Sequence, residues 1–299
     1  MTTKNNITKK RSINVFGIII GTVLILYSLL FIVMILWGFL SSFKNDFAFE
    51  NSIFSLPTIN KKFFNNYIKA VDQIFYPVAG ESRNAGLLEL TYNSIIFSVG
   101  SALISTFIPF MTGYITGKFQ YKFSKFLNAA ILLIMIIPIT GATPAMLSML
   151  RNFGIYNTMF SMFLMQGNFV SMYYLIFHAT FKDMPNDYIE AAQIDGASQA
   201  TIMFRVMMPM AKTTFFAVFL LKFIFYWNNY DLPLLFLTKK PTISLAMIRF
   251  AKPAGNGQGT AGIPGQMAGA MIFCLPIFVV FICFRNRIMG DVSMGGIKG

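Results

Sequence analysis

The chain has 299 residues, of which 56% are hydrophobic and 12% charged, and its formal net charge is +13. A typical soluble domain carries about 25% charged residues, so this composition excludes a soluble enzyme, a disordered tail and a secreted disulfide scaffold, and points to a chain that lives in a bilayer. Its basic residues are scattered among loops between apolar runs, which argues against a stripe for nucleic acid. Cys274 and Cys283 lie in one apolar run and suggest no disulfide framework. The lone histidine, His178, cannot build a His-based metal site, and no metal is expected.

Charge-free stretches locate the spans. Ser12–Ser42, Leu90–Gly117, Phe126–Leu150, Asn152–Phe181 and Pro253–Phe284 each contain the ~20 apolar residues that cross a hydrocarbon core. A further run, Thr213–Thr238, holds only Lys222 and Asp231. The expected fold is therefore all-α and polytopic, with six transmembrane helices. The first run follows Lys9, Lys10 and Arg11, but it is too long for a signal-peptide core and has no small-residue cleavage site after it. An uncleaved helix is expected there. In the last gap, Pro253–Gly265 reads as loop, leaving Met267–Phe284 as helix, and Lys239–Gly265 is expected to form a mobile outer loop.

Six spans put both termini on one side. With the termini inside, thirteen basic residues lie in inner segments and ten in outer ones. The positive-inside rule then favours cytoplasmic termini, because Lys9 to Arg11, Lys118 to Lys125, and Arg285 with Arg287 all flank spans directly. The expected organisation is a cytoplasmic segment at 1–12, a first transmembrane helix at 13–40 and an extracellular segment at 41–90. A five-helix core at 91–290 and a cytoplasmic tail at 291–299 complete it. Pro109, Pro138, Pro144 and Pro276 fall within spans and predict kinked, closely packed helices. Gly100 with Ser101, and Gly141 with Ala142 and Ala145, offer small faces for close helix contact.

Between the fourth and fifth spans, Lys182 to Lys212 reads as a loop of two short helices. Asp187-x-x-Glu190 has capping-box form, and Gly196 is placed to end the first helix in a left-handed cap. Ser198 can cap a second helix, which Pro209 ends, while Ala191 and Ala192 leave a small surface on the first.

Glu190-Ala191-Ala192, Asp195-Gly196-Ala197 and Met208-Pro209 together resemble the cytoplasmic EAA signature of bacterial ABC-importer permeases. The C-terminal Gly295, Gly296, Lys298 and Gly299 look like the tail of the maltose-type, MalG-like carbohydrate permeases. Asn66-Tyr67-Ile68-Lys69-Ala70 and Trp227-Asn228-Asn229-Tyr230 are similar to further stretches of that family. The segment Tyr76–Glu89 is insert-like against its pattern. The resemblance implies a MetI-like fold in the bacterial cell membrane and pairing with a second, MalF-like permease. It further implies two ATP-binding subunits docked on the EAA loop, an extracellular solute-binding protein, and a sugar or oligosaccharide as cargo. It implies no cofactor on this chain. No Walker-type Gly-x-x-x-x-Gly-Lys-(Ser/Thr) is present, so ATP and Mg belong to the partner subunits, and this chain is expected to be a non-catalytic transport component.

Several residues keep two readings. Trp227, Asn228 and Asn229 suit sugar rings and hydroxyls, and equally suit helix packing. Gln166 and Asn168 can line a path or bond a neighbouring helix, Lys222 can face a cavity or snorkel, and Asp231 can line the path or simply be wet. The tail residues and Lys298 are expected to reach the ATPase interface. An importer of a non-sugar solute is the alternative. An ion-coupled secondary transporter fits less well, because midplane carboxylates are lacking, and a membrane enzyme lacks a metal set or triad.

Overall fold

The computed structural model describes residues 15–119, 121–137, 141–251 and 261–289. The N-terminal basic cluster, the C-terminal Gly295, Gly296, Lys298 and Gly299, Pro138 and most of the Gly-rich outer loop lie outside the described residues.

The first helix, α1 (Val15–Ser41), is apolar on all sides and packs chiefly on the last helix, α15 (Ile263–Met289). Its side chains are exposed almost throughout from Phe16 to Leu36. The chain beyond α1 is tied back to it. Asn66 Nδ2 donates to the carbonyls of Ser42 (2.8 Å) and Lys44 (2.6 Å), and Ser42 Oγ meets the Tyr67 hydroxyl at 2.7 Å. Lys44 is buried and donates to the Ile53 carbonyl at 2.7 Å. These bonds satisfy polar groups at the helix exit that burial would otherwise leave unpaired. Asn66 and Tyr67 open α3 (Asn65–Gln73), which sits against α15, with Ala70 in the core. Between α1 and α3 lies the short α2 (Asp46–Asn51), N-capped by Asn45.

The insert-like segment is a hairpin. β1 (Tyr76–Pro77) pairs antiparallel with β2 (Asn84–Ala85), and Arg83 bridges Glu81 (2.5 Å) and Glu89 (2.7 Å) beyond it. The hairpin leads into α4 (Leu87–Lys118), the central helix, which runs through Pro109 and packs on α8 (Met172–Asp183) and α12 (Lys212–Asn228).

The expected third and fourth spans are each broken. α5 (Lys122–Ile136) and α6 (Ala142–Asn152) share one charge-free gap, and α7 (Met159–Met165) and α8 share the next. Among the described residues, α1, α4 and α15 are each long and apolar enough to cross a membrane, and a fourth span results if the bent pair Gln199–Met210 and Lys212–Asn228 counts as one. Other expectations shift as well. Gly141 is not a helix-contact residue: it is left-handed (φ +79°), turns the chain into α6, and has open space where a Cβ would stand. α15 begins at Ile263, because Pro264 in its first turn gives up an amide that has no helical partner anyway. The segment after α13 (Asp231–Phe236), expected as an outer loop, carries α14 (Ile243–Phe250), whose Ile243 to Ala246 are buried.

Two buried clusters result. One joins α3, α4, α12 and α14 through Ile74, Leu90, Phe97, Phe223, Trp227 and Phe250. The other joins α4, α8 and the loop toward α12 through Phe110, Tyr114, Phe177, Phe181, Ile202 and Met207.

Candidate functional site

The second cluster carries the loop in which the sequence motif lies. α9 (Asp187–Ile194) is eight residues long, too short to be stable alone, and holds its place through its contacts. Ile189, Ala192 and Ala197 pack on the cluster, whereas Glu190 and Ala191 are exposed, with Tyr188 at 49% and Ile194 at 87% exposure. The helix thus turns Ile189 and Ala192 inward and leaves the large aliphatic Ile194 bare on the outside.

Its C-terminus closes as the sequence predicts. Gly196 is left-handed (φ +77°); its amide donates to the Gln193 carbonyl and the Ala197 amide to the Ala192 carbonyl, each at 3.0 Å. This pair of crossed bonds is the Schellman arrangement, and it explains why Asp195-Gly196-Ala197 follows the helix. Asp195 is the C-cap.

The N-terminus does not close as predicted. Asn186, not Asp187, precedes the helix; it is right-handed and makes no side-chain cap, so no capping box forms. Lys118, the last residue of α4, holds the Asn186 amide oxygen instead, at 2.9 Å, and also donates to the Met184 carbonyl. In the sequence Lys118 shows only as a basic residue flanking a span, with no local sign of this contact. Asp187 and Glu190 remain in the first turn of α9, where carboxylates favour the helix dipole.

The second half of the loop is helical from Gln199 to Met210. Ser198 Oγ accepts from the Thr201 amide at 3.3 Å and starts α10 (Gln199–Thr201). A π-helical turn follows at Ile202–Met207, then α11 (Met208–Met210) with Pro209 inside it. Pro209 has no amide to return to the preceding turn, and the backbone widens there. At buried Ala211 the chain turns by 72° into α12. Phe215 of α12 then meets Phe110 of α4 at 5.1 Å, and Phe110 meets Phe177 and Phe181 of α8 at 5.0 Å. These rings link α4, α8 and α12, and Ile189 and Ala192 of α9 pack on the cluster they belong to.

The path candidates do not converge on one cavity. Trp227 is 1% exposed, donates its indole N–H to the Phe273 carbonyl at 3.2 Å and stacks on Phe223, so it packs the bundle. Gln166 Oε1 accepts from the buried Tyr226 hydroxyl at 2.7 Å. Asn168 turns its oxygen to the Val170 amide, Asn228 donates to Ile224 one turn back, and Asn229 accepts from the Leu232 amide. Lys222 lies 4.5 Å from the centre of the Tyr173 ring, and Asp231 is exposed at the start of α13.

Residues 92–290 match the family described as "Binding-protein-dependent transport system inner membrane component". The diacetylchitobiose uptake system permease protein NgcG of Streptomyces coelicolor is 28% identical, the match covering 94% of this chain and 88% of that protein. The arabinooligosaccharides transport system permease protein AraQ of Bacillus subtilis is 24% identical over 70% of this chain and 73% of its own. The trehalose transport system permease protein SugB of Mycobacterium tuberculosis is 28% identical over 71% and 78%. Among solved structures, a bacterial ABC transporter involved in the import of the acidic polysaccharide alginate has a chain that superposes with a TM-score of 0.71 at 19% identity, covering 92% of this chain and 97% of that one.

Proposed function

The chain belongs to the family of binding-protein-dependent transport system inner membrane components, and on that premise we propose that it is the permease subunit of an ATP-driven importer of a sugar or oligosaccharide. The carbohydrate assignment is supported by the relatives, several of which are named as permeases for oligosaccharides or trehalose. This chain crosses the membrane six times with both termini in the cytoplasm, and it forms the translocation path with a second permease. ATP hydrolysis takes place on two partner subunits, and an extracellular solute-binding protein delivers the cargo.

The observation that supports the coupling role is the geometry of α9. Its outward face, Tyr188, Glu190, Ala191 and Ile194, is exposed among the described residues, and its inward Ile189 and Ala192 pack on the cluster that Phe110, Tyr114, Phe177 and Phe181 of α4 and α8 form. A helix held in this way moves with its neighbours as a unit, because a close-packed interior transmits displacement. When the ATPase subunits close, α9 is carried with them, and the rings of Phe110, Phe177, Phe181 and Phe215 pass the movement to α4, α8 and α12. The Gly295, Gly296, Lys298 and Gly299 tail adds a second contact with the ATPases. Gln166, Asn168, Lys222, Asn228, Asn229 and Asp231 share no single cavity among the described residues, and they supply polar groups only along a path that the second permease completes.

The test is purification of the assembled complex, followed by uptake of a labelled oligosaccharide into vesicles. The proposal expects two ATPase subunits and a second permease to co-purify, and uptake to need both ATP and the binding protein. Uptake by the lone chain driven by a proton or sodium gradient would replace it with a secondary transporter, and uptake confined to a non-sugar solute would overturn the cargo.

A further inference from the structure

A second polar site lies where α4, α5 and α8 meet. There the chain forms a half-open recess of about 180 Å³ lined by Thr116, Ser124, Lys125, Asn128, His178 and Lys182, with both lysines exposed at its rim. The wall contains two lysines and a histidine, and no carboxylate. Neither Lys125 nor Lys182 forms an ion pair among the described residues, unlike Arg83, which holds two glutamates. Lys118, close by in sequence, is already committed to Met184 and Asn186.

The rest of the wall is held in place. The Tyr174 hydroxyl lies 2.9 Å from Thr116 Oγ1 and 3.0 Å from Asn128 Oδ1, and His178 Nδ1 lies 2.9 Å from Thr116 Oγ1. Gly117 brings the backbones of α4 and α8 together: a Cβ there would stand 3.0 Å from the His178 carbonyl. The site is thus a preformed recess in which the Thr116 and Tyr174 hydroxyls bond one another and the Thr112 carbonyl, leaving the ammonium groups of Lys125 and Lys182 as the charged donors that suit a phosphate.

Two sources of phosphate exist, and the surroundings favour one. The N-cap and first turns of α5 intersperse cations with bare aromatics: Tyr121, Phe123 and Phe126 are 67%, 70% and 69% exposed, beside Lys122 and Lys125. Aromatic and basic side chains side by side mark the headgroup level of a membrane, and a basic recess between helices on the cytoplasmic side suits an anionic lipid headgroup. We propose that this cavity is a binding site for the phosphate of an anionic phospholipid in the cytoplasmic leaflet, clamped by Lys125 and Lys182. The proposal rests on the membrane placement above and not on the identity of the cargo.

The experiment is native mass spectrometry of the delipidated, fully assembled complex titrated with phosphatidylglycerol, with phosphatidylcholine, or with inorganic phosphate alone. Wild type should retain phosphatidylglycerol in clear preference to zwitterionic phosphatidylcholine. The double variant Lys125→Gln/Lys182→Gln should lose about tenfold in phosphatidylglycerol retention, and Lys125→Arg/Lys182→Arg should keep it. Equal retention of the two lipids by wild type overturns the proposal without need of any variant, as does undiminished phosphatidylglycerol on the Gln variant. Displacement of the lipid by millimolar inorganic phosphate would reassign the recess to a soluble anion. Co-purification of the ATPases, scored in the same spectra, reports on the importer reading independently.

Discussion

The amide of Ala197 donates to the carbonyl of Ala192 across the left-handed turn at Gly196, and this bond, with that of the Gly196 amide to the Gln193 carbonyl, closes α9 before the helical segment that leads into α12. No atom lies within 4 Å of where a Cβ on Gly196 would stand. A Cβ there meets no neighbour, so its cost is backbone strain, about 1–2 kcal/mol for an L-residue in this conformation and more for a β-branched one. Gly196→Val should therefore abolish uptake while leaving membrane insertion and pairing with the second permease intact. Uptake and membrane level measured in the same cells check this; uptake within about twofold of wild type would leave Gly196 as a mere connector.

That turn was legible in the sequence, and so was the Ser198 cap, because both are local: a glycine after a short periodic run, a serine before the next. The capping box that Asp187 and Glu190 suggest does not form, for a reason equally physical. Asn186 spends its side chain on Lys118, which lies 68 residues away in sequence, and a contact of that range leaves no local signature. The charge-free gaps reported apolar composition faithfully but could not reveal continuity, and α5 with α6, and α7 with α8, break inside them. Trp227 shows the same limit at the level of one side chain. Its residue type suits a sugar as well as a core, and only the Phe273 carbonyl and the Phe223 ring tell where it went.

The Lys118 clamp makes a prediction of its own. Lys118→Met keeps the aliphatic length and removes the donor to Asn186 and Met184. A hydrogen bond from a charged group contributes about 1.5–3 kcal/mol, so the start of α9 should loosen. Hydrogen exchange at the amides of Ile189 and Glu190 should accelerate by about tenfold or more, with the far end of the bundle unaffected. Unchanged protection would mean that ring packing alone positions the helix.

Close approach of α4 and α8 is set by Gly113. A Cβ at that position would stand 2.7 Å from the Phe177 Cβ and 2.9 Å from the His178 amide nitrogen, and backbone cannot step aside as a flexible side chain can. Gly113→Val should part the two helices and disturb the Phe110–Phe177 contact, at a cost of about 1–3 kcal/mol. The measured outcome is a lower melting temperature of the purified complex and a loss of uptake greater than the loss of protein. A melting temperature equal to that of wild type would show that the helices accommodate the side chain.

At the other end of the molecule, Asn66 holds the exit of α1 by two bonds to the Ser42 and Lys44 carbonyls. Asn66→Leu leaves both carbonyls without this donor, at about 1–3 kcal/mol for each that is not rehydrated. The expected result is a marked fall in the amount of folded complex, with specific uptake per complex close to normal, because the coupling loop is untouched. Normal yield would show that water replaces the amide.

The central claim is that the bare face of α9 is where the ATPase subunits dock. Ala191 is exposed on that face, so a larger, charged side chain there leaves the fold of this chain intact. The decisive measurement is the amount of ATPase that co-purifies with the two permeases when Ala191 is changed to Arg. The account predicts that the permease pair forms at wild-type levels and that the ATPases are lost from it, together with ATP hydrolysis stimulated by the binding protein. ATPases retained at wild-type stoichiometry, with hydrolysis still responding to the binding protein, would contradict it.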